Sequence, residues 1–174
     1  MQGDIAKPVP AFPTPAISQR AERIASKLIK EKLTVATAES ITCGLLAASI
    51  TSVPGSSAYF LAGIDAYSNE SKRKFLEIPE AVIRDNGAVS KECSALMAEN
   101  VARVVGADIG VSTTGIAGPS GGSPQKPVGL VFFSAWGKRQ GILTWESRFS
   151  GSRHEITLLS AESALDILIE LIGA

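Results

Sequence analysis

The stretch Leu33–Ser52, LTVATAESITCGLLAASITS, passes from strand-like to helix-like sequence with very little in between. LTVATAE (33–39) reads as a short buried strand, and TCGLLAASITS (42–52) as a helix entered directly from it. A strand that feeds straight into a helix is the building unit of α/β domains, so the flanking sequence is read for more of the same.

Upstream, Ile17, Ala21, Ile24, Ala25, Leu28 and Ile29 fall on one helical face, with charged residues elsewhere. Residues 1–16 carry four prolines and no apolar period, which predicts an extended or disordered arm and places the domain at 17–174. Downstream, Pro54-Gly55 marks a break, and YFLAGIDAYS (59–68) supplies a second strand. Ser68 or Asn69 can cap a helix through Lys72 to Leu76, and Pro79 suits the first turn of the next short helix. Residues 89–106 are helical by spacing, with Ser90 as a partial capping box and Gly106 as the stop.

ADIGVSTTG (107–115) reads as a buried strand, followed by the Gly- and Pro-rich loop IAGPSGGSPQKPVG (116–129). Residues 128–137 and 141–151 form an antiparallel hairpin around a Lys-Arg-Gln turn, with Trp136 and Trp145 near one another as packing residues. Residues 153–173 form a long final helix. Alternating strands and helices that end in a hairpin predict a single α/β domain, a mixed sheet between helical layers.

The chain has 174 residues, 45% of them hydrophobic, enough for one domain with a substantial core. A formal net charge of +0 argues against a broad nucleic-acid or polybasic membrane surface. Cys43 and Cys93 form no zinc or disulfide pattern, and no apolar run reaches membrane-spanning length. A reduced cytoplasmic location without metal or other cofactor is the expectation.

Three stretches can carry chemistry. In Ala38–Gly44, amides at the start of the second helix can hold an anion, with Ser40 and Thr42 as hydroxyl donors; the plain alternative is a helix cap with Glu39 solvated or paired. The loop after Thr113 lets backbone approach a ligand closely, although it fits neither the dinucleotide fingerprint nor the P-loop pattern. In GSSAYFLAGIDAYSNESK (55–72), serines and Tyr67 precede Lys72, and a lysine of lowered pKa can deprotonate serine; the plain alternative is a turn and a solvated lysine. The lone histidine, His154, reads as a surface residue, and Cys43 as a small packed thiol. Arg153, placed after Ser150-Gly151-Ser152 and before a helix, is well situated to meet a phosphate.

TAESITCGLLAASITSVPGSSAYF, GIDAYSNESK, GAVS, TTGIAGPSGGSPQKPVGLVFF and FSGSRHEI, in this order, resemble the C-terminal domain of the CinA family from about Ser18 to near the C-terminus. The resemblance implies a three-layer α/β/α sandwich, usually dimeric, that hydrolyses the carboxamide of nicotinamide mononucleotide (NMN) to nicotinate mononucleotide and ammonia in pyridine-nucleotide salvage. It implies a serine–lysine pair without histidine: Ser57 as nucleophile with Ser40 next in line, Lys72 as base and Tyr67 as an assisting hydroxyl. Ser40, Thr42 and Gly44 are implied as substrate or oxyanion contacts. Thr114, Gly115, Gly118, Gly121, Gly122 and Arg153 are implied as ribose-phosphate contacts.

The sequence departs from the family's usual Glu-Ser-Cys-Thr-Gly-Gly: Ile41 replaces the cysteine, and Cys43 replaces the first glycine. If the amide of residue 43 lines the site, the added Cβ narrows it. Larger family members carry an N-terminal nucleotide-pyrophosphatase-like domain, whose activity is not expected behind a short Pro-rich arm. A second reading, a non-catalytic nucleotide-binding module that regulates a partner, would use the same loop and Arg153; DNA binding is opposed by the neutral charge.

Overall fold

The computed structural model describes residues 12–174. Most of the expected arm lies outside the described residues, but its end is helical. Helix α1 spans Pro15–Glu31, two residues before the apolar period begins. Thr14 is its N-cap, accepting from the Ile17 amide at 3.2 Å, and Pro15 occupies the first turn, where a missing N–H costs no helical bond.

The remaining elements, in chain order, are β1 (Val35–Glu39), α2 (Leu45–Thr51), a 3₁₀ turn (Ser56–Ala58), β2 (Phe60–Asp65), α3 (Asn69–Leu76), α4 (Glu80–Asn86), α5 (Lys91–Val105), β3 (Ile109–Gly115), β4 (Leu130–Gly137), β5 (Gly141–Arg148) and α6 (Arg153–Ile172). Ser68 caps α3 through a reciprocal box with Ser71, and Pro79 takes the N-cap of α4 rather than a place inside its first turn.

The strands form one five-stranded sheet in the order β2-β1-β3-β4-β5. The first three are parallel; β4 and β5 turn back antiparallel as the final hairpin. Val35, Val111, Phe133 and Ala135 point to one face, under α1, α2 and α6. Ala36, Ala38 and, at the edge, Trp136 point to the other, under α3 and α5. The fold is thus the three-layer α/β/α sandwich around a mixed sheet. Burial of each large apolar side chain contributes roughly 1.5–3 kcal/mol. Helix α5 lies so close to β3 that a Cβ on Gly110 would collide with the carbonyl of Ala98.

The two tryptophans are not neighbours. Trp145 pairs across the hairpin with Phe133, whereas Trp136 pairs with Ile142 on the opposite face. Each packs against a different core. Their sequence positions differ by nine, an odd number that the alternation of strand side chains turns into opposite faces.

What this topology fixes for function is the register at the ends of the parallel strands. Glu39 is the partner of Asp65 on β2 and of Thr113 on β3. The residues immediately after these positions therefore gather along the C-terminal edge of the sheet, where α/β folds form their clefts.

Candidate active site

The turn from β1 into α2 is built around Glu39, a fully buried side chain. Its Oε2 accepts from Thr42 Oγ1 at 2.7 Å and from the amides of Gly44 and Leu46 at 3.0 Å each. Its Oε1 accepts from the Ala47 amide at 2.8 Å and from Thr37 Oγ1 at 3.2 Å. The amides that open α2 therefore already hold an anionic group supplied by the chain itself. They are not available to an external anion, in contrast to the expectation for Ala38–Gly44.

Thr42 and Gly44 belong to this cap and do not line the pocket that holds Ser40. Thr42 spends its proton on Glu39, so the 2.7 Å bond between Thr42 and Thr113 has Thr113 as donor. Helix α2 begins at Leu45 rather than Thr42 because Cys43 and Gly44 both take positive φ, 46° and 90°, which breaks the helical run. Cys43 is exposed and does not line the pocket that holds Ser40.

Ser40 leaves this turn on the other side, held by its amide to the carbonyl of Thr113 at 3.0 Å. Lys72, on the first turns of α3, is 1% exposed. Its Nζ lies 2.9 Å from Ser40 Oγ, 2.7 Å from the carbonyl of Ala66 and 3.2 Å from that of Tyr67. No carboxylate is among these partners. Burial lowers the pKa of Lys72 from the ordinary lysine value, opposed by the negative charge Cys93 carries when ionised. Burial in turn raises the pKa of Cys93, opposed by the charges of Lys72 and Lys126.

The two carbonyls and one hydroxyl accept all three N–H groups of an ammonium, and the same three partners also suit a neutral amine. With the lysine charged, Nζ donates to Ser40 Oγ; once it is neutral, the carbonyls of Ala66 and Tyr67 still accept its two N–H groups and its lone pair is left for the Ser40 hydroxyl. The arrangement can take a proton from a serine without a histidine.

Ser40 and Lys72 sit in a pocket of about 180 Å³ lined also by Ile41, Tyr67, Ala88, Val89, Thr114, Gly115, Ala117 and Arg153. Thr114 donates to the carbonyl of Ala88 at 2.8 Å, fixing one wall. Arg153 stands at the mouth, donating to the carbonyl of Gly118 at 3.0 Å and to the hydroxyl of Tyr67 at 3.2 Å. Tyr67 is 61% exposed, and its hydroxyl bonds to Arg153 rather than to Ser40 or Lys72. Only its backbone carbonyl reaches the lysine. The amides at the start of α6 are partly engaged by the Ser152–Glu155 capping box.

Several expected members fall elsewhere. Gly121 and Gly122 lie in the exposed part of the loop and do not line the pocket. Gly118 contributes its carbonyl to Arg153 without lining it. Ser57 is exposed, on the 3₁₀ turn that precedes β2. Lys72 comes after that strand, so the six residues of β2, roughly 20 Å of chain, separate the two. The pairing of Ser57 with Lys72 is therefore replaced by Ser40 with Lys72. Ile41, Ala88, Val89 and Ala117 are pocket residues that sequence reasoning misses; the signal that points to them is that each falls in a matched motif, Ala88 and Val89 in GAVS (87–90).

Residues 17–172 match the family model of the CinA C-terminal domain. A CinA-like protein from Dictyoglomus thermophilum is 46% identical over 148 residues, 84% of this chain and 36% of its own length. The competence/damage inducible protein CihA from Agrobacterium tumefaciens superposes with a TM-score of 0.90 at 38% identity, covering 94% of this chain and 99% of that one. A CinA superfamily protein from Klebsiella pneumoniae superposes with a TM-score of 0.85 at 30% identity, covering 90% and 98%. The chain thus spans about a third of the length of the curated relatives it matches and nearly all of these solved structures.

Proposed function

Because the chain belongs to the CinA C-terminal domain family, we propose that it is an amidohydrolase that converts NMN to nicotinate mononucleotide and ammonia through Ser40 and Lys72. The observation that carries this reading is the buried amine of Lys72, 2.9 Å from Ser40 Oγ and without a carboxylate partner. Burial without a carboxylate lowers the pKa of the amine, which is what a general base requires.

Neutral Lys72 takes the Ser40 proton as Oγ attacks the carboxamide carbon, forming a tetrahedral intermediate. The Ile41 amide, on the pocket wall and donating to no group among the described residues, is the nearest backbone donor in sequence for the oxyanion. The start of α2 cannot serve, since Glu39 occupies it. Lys72 returns the proton to the departing nitrogen, which leaves as ammonia and yields an ester on Ser40. Water then opens the ester: Lys72 takes its proton, hydroxide adds to the acyl carbon, and the proton passes to Ser40 Oγ as nicotinate mononucleotide leaves.

The pocket volume of about 180 Å³ is below the roughly 300 Å³ at which sites for whole drug-sized ligands begin, so it suits the carboxamide ring, with ribose and phosphate directed to the mouth. Arg153 there is the phosphate contact we assign. The test is ammonia release from NMN by the purified chain beside its Lys72→Met variant. Release by the parent and none by a folded variant is the expected result. NMN binding without release by the parent would replace the enzyme with a nucleotide-binding module.

A further inference from the structure

Lys126 lies in the Gly- and Pro-rich loop but takes no part in the serine–lysine chemistry. Its Nζ donates to the carbonyl of Asn86 at 2.6 Å and to that of Val89 at 2.7 Å. Asn86 ends α4, where carbonyls lack helical partners and a cation is favoured. Val89 is different: with Ala88 it forms a wall of the Ser40–Lys72 pocket. The lysine thus reaches across from one loop to hold the back of a wall made by another segment.

The approach is close and prepared on both sides. A Cβ on Gly87 would lie 2.7 Å from Lys126 Nζ and would push the ammonium aside, and the φ of 80° at this position also favours glycine. On the loop side, the Lys126 amide donates to Ser123 Oγ at 3.0 Å, and the Ser123 amide to the Lys126 carbonyl at 2.8 Å, so the lysine stands on a closed turn. The intervening carbonyls are held as well: that of Ala88 by Thr114 at 2.8 Å and that of Gly87 by Ser90 at 2.8 Å. Four successive carbonyls from 86 to 89 are therefore all committed, two of them to Lys126.

We propose that Lys126 is a positioning residue that fixes the Ala88–Val89 wall of the pocket and so sets how tightly the substrate ring is gripped. It touches neither Ser40 nor Lys72 and acts through Val89. An ammonium bonded to two carbonyls is a point contact, which a planar guanidinium does not reproduce in the same space. The substrate part of this inference rests on the NMN deamidase reading; the wall-fixing part does not.

The experiment compares the parent with Lys126→Met and Lys126→Arg by two readouts: hydrogen exchange of the 86–90 amides and steady-state kinetics on NMN. For Lys126→Met, exchange in 86–90 is expected to quicken by about tenfold. KM should rise about tenfold with kcat within about twofold, the split produced by a loosened binding wall. Lys126→Arg should recover less than half of the KM loss. Unchanged exchange in a folded Lys126→Met protein overturns the proposal whatever the kinetics. Full recovery by arginine also overturns it, since charge alone would then suffice, as would a fall in kcat at constant KM. If the parent releases no ammonia, the deamidase reading fails, and exchange alone decides whether Lys126 fixes the wall.

Discussion

Ser40 meets Lys72 because Glu39 and Asp65 are register partners at the ends of two parallel strands, which brings the segments leaving those strands to one edge of the sheet. Ser57 precedes β2 and is left at the opposite edge. Ser40→Ala should therefore lower kcat on NMN by about 10³-fold or more, as expected for loss of a nucleophile. Ser57→Ala should stay within about twofold of the parent, because an exposed turn serine makes no contact with the pocket. Ammonia release measured on both folded variants is the check; a large loss in Ser57→Ala alone would refute the Ser40 assignment.

The lowered pKa of Lys72 has consequences for activity and for stability. As general base, Lys72 must be neutral, so kcat/KM should rise with pH along a limb whose midpoint lies below the ordinary lysine value. For stability, the folded state gives up the proton at lower pH than the unfolded chain. Between the two pKa values the unfolded state binds more protons, so unfolding free energy rises with pH, by at most about 1.4 kcal/mol per pH unit. Below the folded pKa both states are charged and the burial penalty is felt in full. Lys72→Met removes this dependence. Urea titrations of both proteins across the alkaline range should show the parent gaining on the variant as pH rises, and parallel curves would mean that the folded lysine titrates normally.

The fold is largely legible in the sequence because its elements carry local signals. The apolar faces of α1, α5 and α6, the hairpin turn at Lys138–Gln140 and the glycine after α5 each name an element from a few residues. The site is legible only in part. Lys72, Ser40, Thr114, Gly115 and Arg153 do line one pocket, but the serine that the resemblance implies as nucleophile, Ser57, lies outside it. Parallel pairing is a non-local event, and it is the register of β1 with β2 that selects Ser40. The rule that clefts form after parallel strands, applied strictly, favours Ser40 over a serine that precedes a strand. The role of Glu39 is hidden for a related reason: its five donors come from both sides of a turn whose path depends on the positive φ of Cys43 and Gly44.

That carboxylate makes Glu39 the polar side chain whose loss should be felt most. Glu39→Gln keeps the shape but turns an NH₂ group toward the amides of α2, leaving donors facing donors. A loss of about 2–4 kcal/mol is expected, from charge-assisted bonds and newly unsatisfied buried groups. Because Ser40 is the next residue, kcat should fall along with stability. The urea midpoint of the variant is the measurement. A midpoint equal to the parent's would mean that the amides of Gly44, Leu46 and Ala47 find other acceptors, and that the cap is dispensable.

Cys43 stands where the family motif has glycine, and its φ of 46° explains why glycine suits the position. A residue with a Cβ in the left-handed region costs roughly 1–2 kcal/mol, while glycine costs little there. Part of that gain is returned through the freer unfolded chain, by about 0.4–1 kcal/mol. Cys43→Gly should therefore stabilise the protein by about 0.5–1 kcal/mol, read as a rise in Tm of about 1–4 °C for a domain of this size. Cys43 does not line the pocket, so turnover of NMN should remain within about twofold of the parent. A variant that melts lower would show that the thiol makes a compensating contact; one that melts higher but turns over much faster would restore the narrowing first expected of the Cβ at this turn.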